Sequence, residues 1–156
     1  MISPRTSDRI RVILADDSDA TRRIVRSVLQ EDPGIQVIGE TQSSSNVCIL
    51  LALRPDVAVV DLHMLDREMI SVLANTDPKT CILAMSALVS AESMELAQTF
   101  GIDEVLEKCD LSTTLVPAVK NAFGVRDRGQ SLNAPEASLS EIIGSLNLSG
   151  RIDPAN

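Results

Sequence analysis

A chain of 156 residues, 44% of them hydrophobic, has room for one ordinary domain and a short tail, and carries too much apolar material for wholesale disorder. Its formal net charge of -8 disfavours non-specific binding to nucleic acid or to an anionic membrane, and the basic cluster Arg22, Arg23 and Arg26 is expected to be a solvated helix face that balances neighbouring acids. Cys48, Cys81 and Cys109 show no metal-ligand spacing, His63 is the lone histidine, and Met1 to Arg9 is too short and polar for a signal peptide or a span, so reduced thiols, no His-rich metal site and a cytoplasmic location are expected.

From the N-terminus, short apolar runs alternate with helix-length stretches. Ile10–Ala15 (IRVILA) is the first strand candidate, and a helix is predicted from about Asp19 to Gln30, with Ile24, Val25, Val28 and Leu29 on one face. Asp32–Pro33–Gly34 turns the chain into a second strand, Ile35–Gly39. A second helix, around Asn46 to Leu53, has a serine run ahead of it for capping and ends before Arg54–Pro55, because the residue preceding proline resists the α region. Val57–Val60, Thr80–Met85 and Glu104–Leu106 are the remaining strands. Helices are predicted near Glu68 to Ala74, near Ala91 to Phe100 with Gly101 as the stop, and from Thr114 to Phe123 with Pro117 in the first turn and Gly124 at the end.

The strands are near-continuously apolar and rich in β-branched residues, and with no Trp or Tyr and only Phe100 and Phe123 the core must be aliphatic. Both features suit a parallel sheet covered on two faces. Five β-α repeats therefore predict an α/β fold with a parallel sheet and helices on both sides. Beyond Gly124 the composition changes. Residues 124–137 suggest a linker, after which Ser138 and Glu141 fit a capping box and Leu139, Ile142, Ile143 and Leu146 form one apolar stripe. The expected division is a domain over 9–124, then a linker and tail over 125–156 with a short amphipathic helix at 139–147.

The acids fall where such folds work. Asp16 and Asp17 follow the first strand and Asp61 follows the third; in a sheet of order 2-1-3-4-5 those strands are neighbours at the switch point. Three carboxylates meeting there repel unless a cation intervenes, and Mg²⁺ favours such oxygen ligands. Ser86 and Lys108, after the fourth and fifth strands, complete the rim with a hydroxyl and an ammonium that suit phosphoryl oxygens. Singly, each residue is equally a turn or cap residue. Jointly, they are a pattern.

Val12–Arg26 (VILADDSDATRRIVR), Pro55–Met64 (PDVAVVDLHM), Met85–Ser86–Ala87 and Lys108 resemble the receiver domain of two-component response regulators, nearest to the branch with LuxR-type outputs, over about residues 9 to 123. The separations agree, 44 positions from Asp17 to Asp61 and 22 from Ser86 to Lys108. The resemblance implies a flavodoxin-like fold, a five-stranded parallel sheet of order 2-1-3-4-5 flanked by five helices. It implies Mg²⁺ held by Asp16, Asp17, Asp61 and the backbone carbonyl of His63, and a phosphoryl group accepted on Asp61 from a histidine kinase or phosphotransfer protein. Ser86 and Lys108 would bind its oxygens. It further implies a downstream protein partner on the face of the fourth helix, fifth strand and fifth helix, and leaves a homodimer open.

Departures from the family pattern are also legible. Leu65 and Cys109 stand where the family usually has prolines, and Val105 where it commonly has an aromatic switch residue. A trans Lys108–Cys109 bond is favoured, since a non-proline cis bond costs about 3 kcal/mol. The His63 side chain lies at the mouth of the site, either simply exposed or influencing attack by water. Residues 124–156 are too short and acidic to read DNA, so neither nucleic-acid binding nor membrane insertion is expected, and output through protein contact is. The receiver would not be an enzyme beyond its own phosphorylation and dephosphorylation. Two other readings stand beside it: an interaction or dimerisation module that no longer needs phosphate, and an aspartate-nucleophile phosphohydrolase, for which the string after the first strand is Asp16–Asp17–Ser18–Asp19 with no cap domain expected.

Overall fold

A computed structural model describes residues 8–76 and 79–132, with side chains in the last helix described as far as residue 127. The elements run β1 (Ile10–Ala15), α1 (Asp19–Gln30), β2 (Ile35–Thr41), α2 (Ser44–Leu51), β3 (Val57–Asp61), α3 (Arg67–Ala74), β4 (Cys81–Ser86), α4 (Ala91–Phe100), β5 (Glu104–Glu107) and α5 (Leu111–Leu132). The strands pair in parallel in the order β2-β1-β3-β4-β5, as the resemblance implied. Every residue of β3 and β4 is buried, which is why those segments lack the alternation of a half-exposed strand.

Alternate strand residues feed two cores. Leu14, Val59, Leu83 and Met85 pack with Val25 and Leu29 of α1 and with Leu111, Leu115 and Val119 of α5. Ile13, Ala58, Val60 and Ile82 pack with Val47 and Leu51 of α2, Met69 and Leu73 of α3, and Ala97 of α4. Between β1 and β2 the register slips once, Val12 facing Val37 and Ile13 facing Gly39, so that Ile38 is the extra residue. A Cβ at Gly39 would meet Leu50 Cδ2 at 2.7 Å, so the glycine lets α2 lie close to the sheet.

Local signals govern most helix ends. Ser18 Oγ accepts from Thr21 N at 3.2 Å, and Asp66 Oδ1 accepts from Met69 N at 2.8 Å. Ser90 and Ser93 form a reciprocal capping box on α4, which stops at Gly101 in the left-handed conformation (φ 68°). α2 differs from expectation. It starts at Ser44 and ends at Leu51, and its N-cap Ser43 makes no capping hydrogen bond, its Oγ pairing with Ser45 Oγ at 2.8 Å instead. Arg54 then takes a positive φ of 55°, consistent with the exclusion of the right-handed helical region before Pro55.

α5 is the larger correction. It begins at Leu111, directly after a 3-10 turn at Lys108–Asp110, so Pro117 lies inside the helix rather than in its first turn. The Asp110 carbonyl accepts from both Thr113 Oγ1 (3.1 Å) and Thr114 Oγ1 (2.9 Å), which anchors the early start. The helix also passes through Gly124 to Leu132, so residues 124–132 are helical where the composition suggested a linker; a single glycine costs only about 1 kcal/mol against alanine. The expected tail helix, with Ser138, Leu139, Ile142, Ile143 and Leu146, lies outside the described residues. The chain divides into units Met1–Phe123 and Gly124–Asn156, and the sheet belongs to the first. Among the described residues no helix is long and apolar enough to cross a membrane.

Candidate functional site

Sheet register brings the acids together. Ala15 pairs with Val60 across β1 and β3, so the next residues along, Asp16 and Asp61, emerge side by side. Asp16 is fully buried, Asp61 is nearly so, and Asp17 is exposed. One oxygen from each carboxylate lies within 4.8 Å of the others.

Each buried carboxylate has one oxygen tied to its own loop. Asp16 Oδ1 accepts from Ser18 N at 2.8 Å, and Asp61 Oδ1 accepts from His63 N at 3.2 Å. The Oδ2 atoms face Lys108, whose Nζ stands 2.8 Å from that of Asp16 and 3.6 Å from that of Asp61. The ammonium is the ion-pair partner of the buried Asp16 Oδ2, which meets no other donor among the described residues. Burial works to lower the Lys108 pKa, but the contact with Asp16 and the charges of Asp61 and Asp16 together outweigh it and hold the ammonium above the ordinary lysine value.

This donor set fits a hard divalent cation. Three carboxylates against one ammonium leave a charge of about -2, which a hard divalent cation taking oxygen ligands would offset. Asp16 Oδ2, held by the Lys108 ammonium at 2.8 Å, is an oxygen that a cation would share. Asp16, Asp17 and Asp61 could therefore hold it. His63 is exposed and, with Asp17, Gln42, Ser43, Ser44, Met64 and Asp66, lines an open cleft of about 560 Å³ beside the acids.

Ser86 lies at the carboxyl end of β4, one residue beyond the Asp61 partner Met85. It is 5% exposed, and its hydroxyl donates to the Leu88 carbonyl at 2.9 Å, so its hydrogen bond runs into its own loop rather than toward the carboxylates. Glu107, just before Lys108, accepts from Val89 N at 2.9 Å. Val105 is half-buried against the core shared with α2, α3 and α4. Cys109 is exposed, and desolvation with the nearby Asp110 and Glu107 raises its thiol pKa.

Sequence reasoning placed Arg22 on a solvated face, and there the structure differs. Arg23 is exposed, but the Arg22 side chain is only 13% exposed and its Nη1 donates to the Asp16 carbonyl at 2.6 Å. Its other nitrogens pair with Asp19 and, at 3.5 Å, with Glu40, which also holds Arg26 through two bonds of 2.8 and 2.9 Å. The available signal was its position one helical turn beyond the cap that follows the acid pair.

Comparisons with known proteins bear on the family and the fold. The family model described as "Response regulator receiver domain" matches residues 12–120. A protein-glutamate methylesterase/protein-glutamine glutaminase of Anaeromyxobacter dehalogenans is 27% identical over 160 residues, covering 90% of this chain and 47% of the relative. One of Geobacter metallireducens is 38% identical over 88 residues, covering 54% and 25%. The chain thus spans less than half the length of these curated relatives. Among solved structures, the response regulator domain of Thermotoga maritima CheB superposes with a TM-score of 0.65 at 20% identity, covering 74% of this chain and 97% of that one. A LuxR-family two-component response regulator from Aurantimonas sp. SI85-9A1 gives 0.68 at 22%, covering 76% and 87%.

Proposed function

The chain belongs to the response regulator receiver domain family, and from that premise we propose that it is a signalling switch that accepts a phosphoryl group on Asp61. The observation that carries this reading is the disposition of oxygens and charge. The Oδ2 atoms of Asp16 and Asp61 share one ammonium, and Asp16, Asp17 and Asp61 each bring an oxygen within 4.8 Å of the others.

In this reading the Asp61 carboxylate attacks phosphorus of a phosphohistidine, an O–P bond forms, the N–P bond breaks, and the electron pair leaves with the imidazole. Lys108 offsets the charge on the phosphoryl oxygens, and Ser86 exchanges its bond to Leu88 for one to the transferred group. Bound Mg²⁺, held by Asp16, Asp17, Asp61 and the His63 carbonyl, would supply further positive charge there. The donor is a histidine kinase or phosphotransfer protein, and the output is contact of a downstream protein with α4, β5 and α5. The receiver comprises 9–124, with α5 continuing beyond it to Leu132. The activity named for the curated relatives belongs to those longer proteins.

A phosphate-independent interaction module is the second reading, favoured by the engagement of the Ser86 hydroxyl with Leu88 and by Leu65, Val105 and Cys109. Incubation with Mg²⁺ and acetyl phosphate, followed by intact mass, separates the two. Addition of one phosphoryl group to wild type, absent in Asp61→Asn and abolished by a chelator, is the expected result. An unmodified wild type, under conditions that modify a control receiver, overturns the proposal and leaves the module.

A further inference from the structure

We propose that Arg22 is a positioning residue that holds the acidic turn in its cation-binding form; this rests on the phosphoacceptor reading above. The acceptor of its shortest bond to the turn, the Asp16 carbonyl at 2.6 Å, belongs to the peptide plane that joins Asp16 to Asp17. Fixing that one plane restrains the adjoining torsions, ψ of Asp16 and φ of Asp17, and with them the way both carboxylates leave the backbone. A rigid guanidinium suits the task because three partners are spread around it: the Asp16 carbonyl, Asp19 and Glu40. A lysine has no fork with which to reach all three.

Charge bookkeeping favours the same role. Arg22 and Arg26 face Asp19 and Glu40, two cations against two anions. The brace is therefore close to neutral, and it grips the turn without cancelling the negative charge of Asp16, Asp17 and Asp61. A cation lodged against the Asp16 carboxylate would do the opposite, as Lys108 does at 2.8 Å. Arg22 instead bonds the backbone behind it. The side chain is 13% exposed while that of Arg26 is 38% exposed, so the water that would compete for the Asp16 carbonyl is largely excluded.

Arg22→Met keeps the apolar stem and removes the fork. Mg²⁺ binding is read by calorimetry, since the chain has no Trp or Tyr to report by fluorescence, and phosphorylation by acetyl phosphate is followed against Mg²⁺ concentration. The expected result is a Mg²⁺ half-saturation raised about fivefold or more, as loss of one charge-assisted hydrogen bond implies, with a smaller fall in the rate at saturating Mg²⁺. Unchanged half-saturation in a folded Arg22→Met, or a loss confined to the saturated rate, overturns the proposal, because a merely structural brace would not shift cation affinity. Should that variant fail to fold, Glu40→Gln tests the same brace from β2 and is expected to raise the half-saturation about twofold; no change there overturns it equally. A wild type that binds no Mg²⁺ sinks the phosphoacceptor reading itself, whereas a wild type that binds it no better than Arg22→Met sinks this inference alone.

Discussion

The Lys108 ammonium lies 2.8 Å from Asp16 Oδ2 and 3.6 Å from Asp61 Oδ2, so it is paired more closely with the neighbouring acid than with the proposed phosphoacceptor. An arriving cation must share Asp16 with this ammonium. Lys108→Gln is accordingly expected to act in opposite directions on two measurements. Mg²⁺ affinity should rise about threefold or more, since a competing positive charge leaves a partly dry site. Phosphorylation by acetyl phosphate should fall at least about tenfold, because the charge that offsets the phosphoryl oxygens is gone. Calorimetry and intact mass read the two; parallel losses in both would contradict the assignment.

Ser86→Ala removes the bond to the Leu88 carbonyl. Leu88 is 69% exposed, so water can replace the lost donor, and denaturant unfolding should register a loss of about 1 kcal/mol or less. The phosphorylated form should suffer more than the unmodified protein, because the hydroxyl is proposed to move to the phosphoryl group. An acyl phosphate lifetime equal to that of wild type would count against that move.

The Glu40 carboxyl is held below its ordinary value of 4.5, chiefly by the hydrogen bonds from Arg26, with the charges of Arg26 and Arg22 adding to the effect against the opposing influence of burial. A carboxyl with a depressed folded-state pKa adds stability above its unfolded pKa, and that contribution is lost as pH falls through the lower folded value. The pair is partly solvated, so the contribution is about 0.5 kcal/mol after screening. Wild type should unfold at a higher temperature than Glu40→Gln at pH 6, and the gap should close as pH drops below about 4.5. A gap independent of pH would show that packing, not the ion pair, sets the difference.

Leu83 is fully buried in β4, whereas Ile49 on α2 is 68% exposed. Leu83→Ala should cost about 2–5 kcal/mol through the cavity it leaves, a large part of a typical domain stability of about 5–15 kcal/mol. Ile49→Ser should stay within about 0.5 kcal/mol. Equal effects in urea denaturation would mean that the burial pattern of the sheet is wrong.

Much of this was legible in the chain. The near-continuous apolar runs at Val57–Val60 and within Thr80–Met85 betray the strands that the structure places at Val57–Asp61 and Cys81–Ser86, because burial on both faces disfavours polar residues over several consecutive positions. The stop at Gly101 was legible too, whereas the caps Ser18 and Ser90, whose contacts span only three residues, came from the structure. The early start of α5 escaped because Pro117 suggests a first turn, whereas the threonines that bond back to Asp110 draw the start of the helix earlier.

The sequence by itself determined the parallel α/β fold and which five residues stand at the carboxyl ends of the strands, since periodicity and turn signals follow from local sterics and from burial, while the strand order was implied by the resemblance and fixed by the tertiary structure. Only the tertiary structure decided which donor meets which acceptor. That Lys108 favours Asp16, that the Ser86 hydroxyl turns to Leu88 and that Arg22 leaves its helix face for the Asp16 carbonyl are outcomes of packing. In a partly buried site a difference of less than an ångström changes Coulomb and hydrogen-bond energies by amounts comparable to a whole surface ion pair, and no periodicity encodes it.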